Sequence, residues 1–205
     1  MTVSRDLLST LQEITNRCGE AWLMRRIEID HPQDGPMFLA RLYKELQSIA
    51  DELESSAHDK QQDSEDKLTR YVVALLRRTG YQATHDEDQK GHTDLLVSSG
   101  VFKWLGEAKL HRDYDWLFHG LDQLQTYATG REAGYGLLIY LRVQNAKGIM
   151  NEWRTRLSQS LNSHLKSIND GDEPLTFWSI HQHQASGADM NTKHIGFSMY
   201  YASPG

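Results

Sequence analysis

With 205 residues, 39% of them hydrophobic and 24% charged, the chain has the composition of a globular protein long enough to bury one sizeable core, and one main domain with an appendage is expected. A net charge of −6 excludes a protein that coats nucleic acid by bulk electrostatics, although Arg77, Arg78, Arg112, Arg131, Arg154 and Arg156 remain available for a local basic groove. The lone cysteine, Cys18, rules out an intrachain disulfide or a cysteine-based metal cluster and is expected to be a small buried helix residue.

From Arg5 to about Ile27, Leu7, Leu8, Leu11, Ile14 and Cys18 recur at helical spacing. The start "MTVSRDLLSTL" lacks a basic stretch followed by an apolar one, and the longest apolar run, "GLLIYL", is too short to span a bilayer, so no membrane association and a cytoplasmic location are expected. "HPQDGP" breaks the helix, and Pro36 suits the first turn of a second one carrying Leu39, Leu42, Leu46, Ile49 and Leu53. Residues 1 to 57 therefore read as a helical hairpin, which either packs on the main domain or binds a partner subunit or a second copy. Residues 55 to 63, "SSAHDKQQD", read as a polar linker.

Asp63 or Ser64 caps the next helix, whose apolar face runs through Leu68, Tyr71, Val72, Leu75 and Leu76 to a stop at Gly80. Glu65 lies on the side of Leu68, toward the core. Three extended segments follow, roughly 81 to 85, "TDLLVSS" from Thr93 and "VFKWLGEAKL" from Val101, with Gly100 at the bend between the last two. Asp113 or Asp115 caps a helix through Thr129, closed by Gly130, and "YGLLIYLRV" from Tyr135 is a strand. A further helix is predicted from about Ala146 to Ile168, with Met150, Trp153, Leu157, Leu161 and Leu165 on one face, followed by strands at about 175 to 183 and 196 to 202.

A glutamate and a lysine inside a strand that otherwise reads as buried are costly unless they face each other, a cation or a substrate. Strand alternation puts Glu107 and Lys109 on one face and Trp104, Gly106, Ala108 and Leu110 on the other. If the preceding hairpin loop holds an even number of residues, Asp94 shares the face of Glu107 and Lys109. Asp94 also suits a turn cap after Gly91, and Glu65 suits an acid at a helix N-terminus. Mg²⁺, or Mn²⁺ in its place, takes one or two carboxylates and leaves other positions to water and phosphate; Asp94, Glu107 and the Ala108 carbonyl meet that demand, and Lys109 would offset charge developing on phosphorus.

Asp94, then Glu107-Ala108-Lys109 on the next strand, within the order helix, three strands, helix and strand, resembles the PD-(D/E)XK nuclease superfamily over residues 63 to 143. "DQLQTYA" places Gln123 and Tyr127 one turn apart and is similar to the QxxxY element of several branches of that superfamily. Thr93 stands where the family name has proline. The resemblance implies an α/β restriction-endonuclease-like α-β-β-β-α-β core inside a domain over residues 63 to 205, extended by a C-terminal helix and two strands. It implies a Mg²⁺-dependent nuclease with metal ligands Asp94, Glu107 and Ala108, catalytic Lys109, supporting Gln123 and Tyr127, and Glu65 as an additional acid. DNA is favoured over RNA as substrate, and a restriction or anti-phage defence role follows by analogy. The alternative is a catalytically silent subunit of the same fold that binds nucleic acid or assembles a complex. His92, His111 and His119 lie near this site in sequence, whereas His181 and His183 of "HQH" share one strand face, lack a third zinc ligand and are expected to face solvent.

Overall fold

The computed structural model describes residues 5–85, 87–88, 92–160 and 164–202; Gly91 and Leu161, and the side chains of Leu7, Leu8 and His92, lie outside the described residues. The chain is mixed α/β. Helices α1 (Arg5–Cys18), α2 (Glu20–Asp30), α3 (Gly35–Ser55), the single turn α4 (Ala57–Lys60) and α5 (Glu65–Thr79) precede all the described strands. Then come β1 (Gln82–Thr84), β2 (Glu87–Asp88), β3 (His92–Thr93), β4 (Leu95–Ser99), β5 (Phe102–Leu110), α6 (Tyr114–Tyr127), β6 (Gly134–Leu141), α7 (Ala146–Gln159), β7 (Leu165–Asp170), β8 (Thr176–Gln182) and β9 (Asp189–Ser198).

Among the described residues the sheet has seven strands in the order β1-β4-β5-β6-β9-β8-β7, with β2 and β3 forming a separate two-stranded ribbon. β5, β6 and β9 run parallel to one another and the outer pairs are antiparallel. Parallel strands need both faces covered, and β6 is accordingly buried along its whole length. One face packs against α3 and α5 through Leu42, Leu46, Leu68, Val72 and Trp104; the other packs against α6 and α7 through Leu117, Leu121, Leu137 and Trp153. Gly106 and Gly136, opposite each other in register, make room for the Trp104 indole, since a Cβ on them would come within 2.4 and 2.2 Å of its ring.

Several boundaries differ from the sequence reading. Gly19, at φ 84°, interrupts the first predicted helix, and Cys18 is exposed at the end of α1, whose main packing among the described residues is along α2. Leu11, Trp22, Met24 and Ile27 are exposed on these two helices, while α3 joins the main core. The polar segment 55 to 63 holds α4, whose Ala57 is buried. Ser64, rather than Asp63, caps α5, and Asp113 caps α6. The predicted helix to Ile168 ends at Gln159; His164 takes a positive φ of 48°, which no helix continues through, and Leu165 and Ile168 belong to the edge strand β7. The C-terminal region thus contributes three strands, not two. No helix among the described residues is long and apolar enough to cross a membrane.

Candidate active site

The site is built where one strand outruns its neighbour. β4 begins at Leu95, opposite Gly106, so residues 107 to 110 of β5 have no strand partner on that edge among the described residues. Backbone N–H and C=O of a strand residue point to the same edge, and even-numbered residues of β5 face the gap while odd-numbered ones face β6. Two side chains take over the missing ladder bonds. Asp94 Oδ2 accepts from Ala108 N at 3.0 Å, and Glu65 Oε2, reaching round from the first turn of α5, accepts from Leu110 N at 2.5 Å. The Ala108 carbonyl lies on the same open edge as its N–H. The hairpin loop between β4 and β5 holds two residues, Gly100 and Val101, so Asp94 continues the register opposite Glu107 and on its face.

Glu107 and Lys109 project beneath α6 and are almost completely buried. Lys109 Nζ lies 2.6 Å from Glu107 Oε1, 3.6 Å from Asp94 Oδ2 and 3.8 Å from Glu65 Oε1, so one ammonium is shared by three carboxyl groups. α6 can pass this close because residue 120 is glycine; a Cβ there would stand 2.7 Å from Lys109 Cγ. Burial, and then the neighbouring Asp94 carboxylate, push the Glu107 carboxyl up to about 8, against the opposing pull of Lys109. Burial works to lower Lys109, but the attraction and hydrogen bond of Glu107, with Asp94 and Glu65, outweigh it and raise its pKa. Glu107 Oε2 is buried without a hydrogen-bond partner.

That orphaned oxygen bears on the expected cation. Asp94, Glu107 and the Ala108 edge offer hard oxygen donors, and Glu107 Oε2 is left without a partner because Lys109 engages only Oε1. They suit Mg²⁺ or Mn²⁺ by donor type. Among the described residues, however, no group of three or more His, Cys, Asp or Glu side chains is gathered as a ready metal cage, and Lys109 occupies the middle of the carboxylates.

Sequence reasoning overlooked Trp116. Its Nε1 donates to Glu65 Oε2 at 3.4 Å, and its ring lies 5.4 Å from Lys109 Nζ. Arg112 rests its guanidinium 3.7 Å from the same ring centre, and His119 stacks on it at 5.2 Å and 4°. Trp116 and His119, three residues apart on α6, are the part of this cluster that helical spacing shows, while Arg112 precedes the Asp113 cap. Of the other arginines, Arg77 bonds the Ala83 carbonyl, while Arg154 and Arg156 pair with Asp170 and Glu152.

Gln123 lies one turn beyond Gly120 on α6, with its Oε1 buried and unpartnered. Tyr127 is seven residues beyond Gly120, about 10 Å along the helix axis, and packs against the second core cluster. His111 packs edge-on against Tyr114; its Nε2 is buried without a hydrogen-bond partner, and burial lowers its pKa. His181 and His183 do not face solvent: both are buried. Ser179 Oγ joins His181 Nε2 and His194 Nε2, each at 2.7 Å, and His183 Nδ1 meets Ser186 Oγ at 2.7 Å.

No family model matches the chain, and neither a curated protein nor a solved structure matches it.

Proposed function

We propose that this protein is a metal-dependent nuclease hydrolysing phosphodiester bonds, with DNA as its substrate. The observation that carries this reading is the Lys109 ammonium held against Glu107, Asp94 and Glu65 at an open strand edge, beside a Glu107 oxygen with no partner. The order α5, β1, β4, β5, α6, β6, with β2 and β3 as an inserted ribbon, supports a restriction-endonuclease-like reading of residues 63 to 143.

In this reading Asp94, Glu107 and the Ala108 carbonyl would hold Mg²⁺ or Mn²⁺, and the ion would supply Lewis acidity and neutralisation of phosphate charge there. Lys109 stands beside the phosphate and stabilises the charge that builds on its oxygens as water attacks in line. Glu65 and Trp116 hold the Lys109 end of β5 in place, and Gln123, one turn along α6 from Gly120, keeps a buried amide oxygen without a partner. Arg112, exposed on the Trp116 ring, supplies a cation to a nucleic-acid backbone that an acidic protein otherwise repels. Targeting through a partner or a second copy would use the exposed apolar residues of α1 and α2.

One observation favours a second reading. Asp94 and Glu65 already satisfy backbone N–H groups at the end of β5, so both acids have a structural use in a catalytically silent subunit. Cleavage of labelled double-stranded DNA, single-stranded DNA and RNA with Mg²⁺ or Mn²⁺ separates the two. The nuclease cuts, chelation stops it, and Lys109→Ala loses about 10²- to 10³-fold in rate, the cost of removing one charge-stabilising donor. Cutting that persists in Lys109→Ala would overturn the assignment, and a wild type that binds these substrates without cutting them would favour the silent subunit.

A further inference from the structure

A second concave site lies on the opposite face of the sheet from Glu107 and Lys109. α3 packs on β5 and β9 and reaches β8 through Tyr43 against Trp178, and the groove alongside is a cleft of about 570 Å³. Its walls include Leu39 and Tyr43 of α3 and Trp178 of β8, with Lys193 of β9 at the base. A volume in this range, aromatic walls and one charged group at the base are the features of a small-molecule site.

Lys193 is the unusual member. It pairs with Trp178 in the β8–β9 register, so the two side chains are neighbours on one face, and only 5% of the residue is exposed. Its ammonium lies 4.8 Å from the centre of the Tyr43 ring and 5.2 Å from that of Trp178. Tyr43 cannot swing away: its hydroxyl accepts from Trp104 Nε1 at 3.2 Å and donates to the Tyr135 carbonyl at 3.4 Å. The anion nearest to Lys193 among the described residues is Asp172, at 3.8 Å, beyond hydrogen-bond length, with its side chain 81% exposed. Burial lowers the Lys193 pKa, and Asp172 and Glu173 offset that only in part. Two aromatic rings and a screened, overlong ion pair leave a buried cation short of acceptors.

Tyr43 and Trp178 meet edge to face, with ring centres 5.1 Å apart, and form one continuous aromatic wall. We propose that this cleft binds a small carboxylic acid with an apolar ring, its carboxylate on Lys193 and its ring laid against that wall beside Leu39. The carboxylate displaces the loose Asp172 contact at little cost, because that contact is already water-screened. The same geometry selects the charge of the ligand. Asp51, Asp172 and Glu173 line the mouth against the single further cation of Lys44, which disfavours a dianion such as a phosphate monoester. The site is independent of the phosphodiester chemistry proposed above.

Titration calorimetry of the full chain tests this with phenylacetate and indole-3-acetate as ligands, and phenylacetamide, phenyl phosphate and phenethylamine as controls. Both acids bind saturably, and the amide, the phosphate and the amine bind at least about tenfold more weakly. Lys193→Met, which keeps the aliphatic stem, and Ala40→Phe, which fills the cleft from an exposed position on α3, each weaken the acids by a similar factor. Ala40→Phe carries the test alone if Lys193→Met fails to fold. The proposal is overturned by an absence of saturable binding of either acid to the wild type, by acid binding that survives Ala40→Phe, or by an amide or amine that binds as tightly as the acids.

Discussion

Asp94 accepts the backbone N–H of Ala108 at 3.0 Å, one position beyond the last residue pair of β4 and β5. The carboxylate thus replaces the carbonyl that a longer β4 would have offered, and it leaves a notch where the strand would have run. The same notch leaves the edge of β5 beside Glu107 and Lys109 to side chains, while Glu107 and Lys109 themselves stay buried. The structural use of Asp94 and its proposed use as a cation ligand therefore share one cause, the early end of β4, and a substitution must separate them.

Asp94→Asn keeps an oxygen acceptor for Ala108 N but removes a negative charge, whereas Asp94→Ala removes both. The alanine variant is expected to lose about 1–3 kcal/mol for the unpaired N–H, and the asparagine variant less. If Mg²⁺ binds at ten times its Kd, it stabilises the wild type by about 1.4 kcal/mol, or roughly 3–5 °C in Tm for a chain of this size. Neither variant should show that shift in a thermal melt. Equal shifts in all three proteins would show that the cation binds elsewhere.

Glu65 allows a similar separation. Glu65→Ala leaves Leu110 N and Trp116 Nε1 without their acceptor and is expected to cost about 1–3 kcal/mol in urea denaturation, while Glu65→Gln retains an oxygen for both and costs less. If the alanine variant unfolds at the wild-type urea midpoint, Glu65 does not anchor the strand end.

Much of this arrangement was legible in the sequence because it follows from short-range rules. Strand alternation placed Glu107 and Lys109 together, an even hairpin loop would carry Asp94 to the same face, and capping chemistry narrowed the caps to Asp63 or Ser64 and Asp113 or Asp115 and found the stop at Gly80. What was not legible depends on distant packing. His181 and His183 read as solvent-facing because their neighbours are polar, yet Trp153 and Phe177 cover His194 beside them, and that requires knowing that β8 pairs with β9 beneath α7. Leu165 and Ile168 fit a helix by spacing and lie in an edge strand, since a three-residue interval alone does not exclude either. Trp116 was missed for another reason: an aromatic residue on a helix is ordinarily core, and its link to Glu65 spans 51 residues.

Gly120 tests how tightly α6 is fitted over Lys109. A methyl group there meets Lys109 Cγ at 2.7 Å, Cε at 3.0 Å and Leu137 Cδ1 at 3.3 Å. Alanine gains up to about 1 kcal/mol of helix propensity, but overpacking of this kind costs about 1–3 kcal/mol. Gly120→Ala is therefore expected to be less stable than the wild type by about 1 kcal/mol in urea denaturation, with Lys109 displaced and its contribution to cleavage reduced. A variant more stable than the wild type would mean that the Lys109 stem moves aside without penalty.

The buried histidines give the chain a defined response to acid. Trp153 Nε1 donates to His194 Nδ1 at 3.1 Å, which leaves Nε2 as the N–H of a neutral imidazole; Nε2 donates to Ser179 Oγ, and the hydroxyl hydrogen is then directed at His181 Nε2. Protonating His194 would set two donors against each other at Nδ1. Burial, and then the proximity of His181, hold the His194 pKa well below 6.5. Because the folded value is depressed, the unfolded chain binds a proton that the native chain does not once the pH drops below 6.5, so this contribution to stability is complete above that value and is lost on acidification. The loss approaches about 1.4 kcal/mol per pH unit between 6.5 and the folded pKa. Urea midpoints taken from pH 7.5 to pH 5 should therefore fall more steeply for the wild type than for His194→Phe, which lowers stability at every pH but removes this titration. Parallel slopes for the two proteins would show that His194 takes up a proton without disturbing the chain from Trp153 to His181.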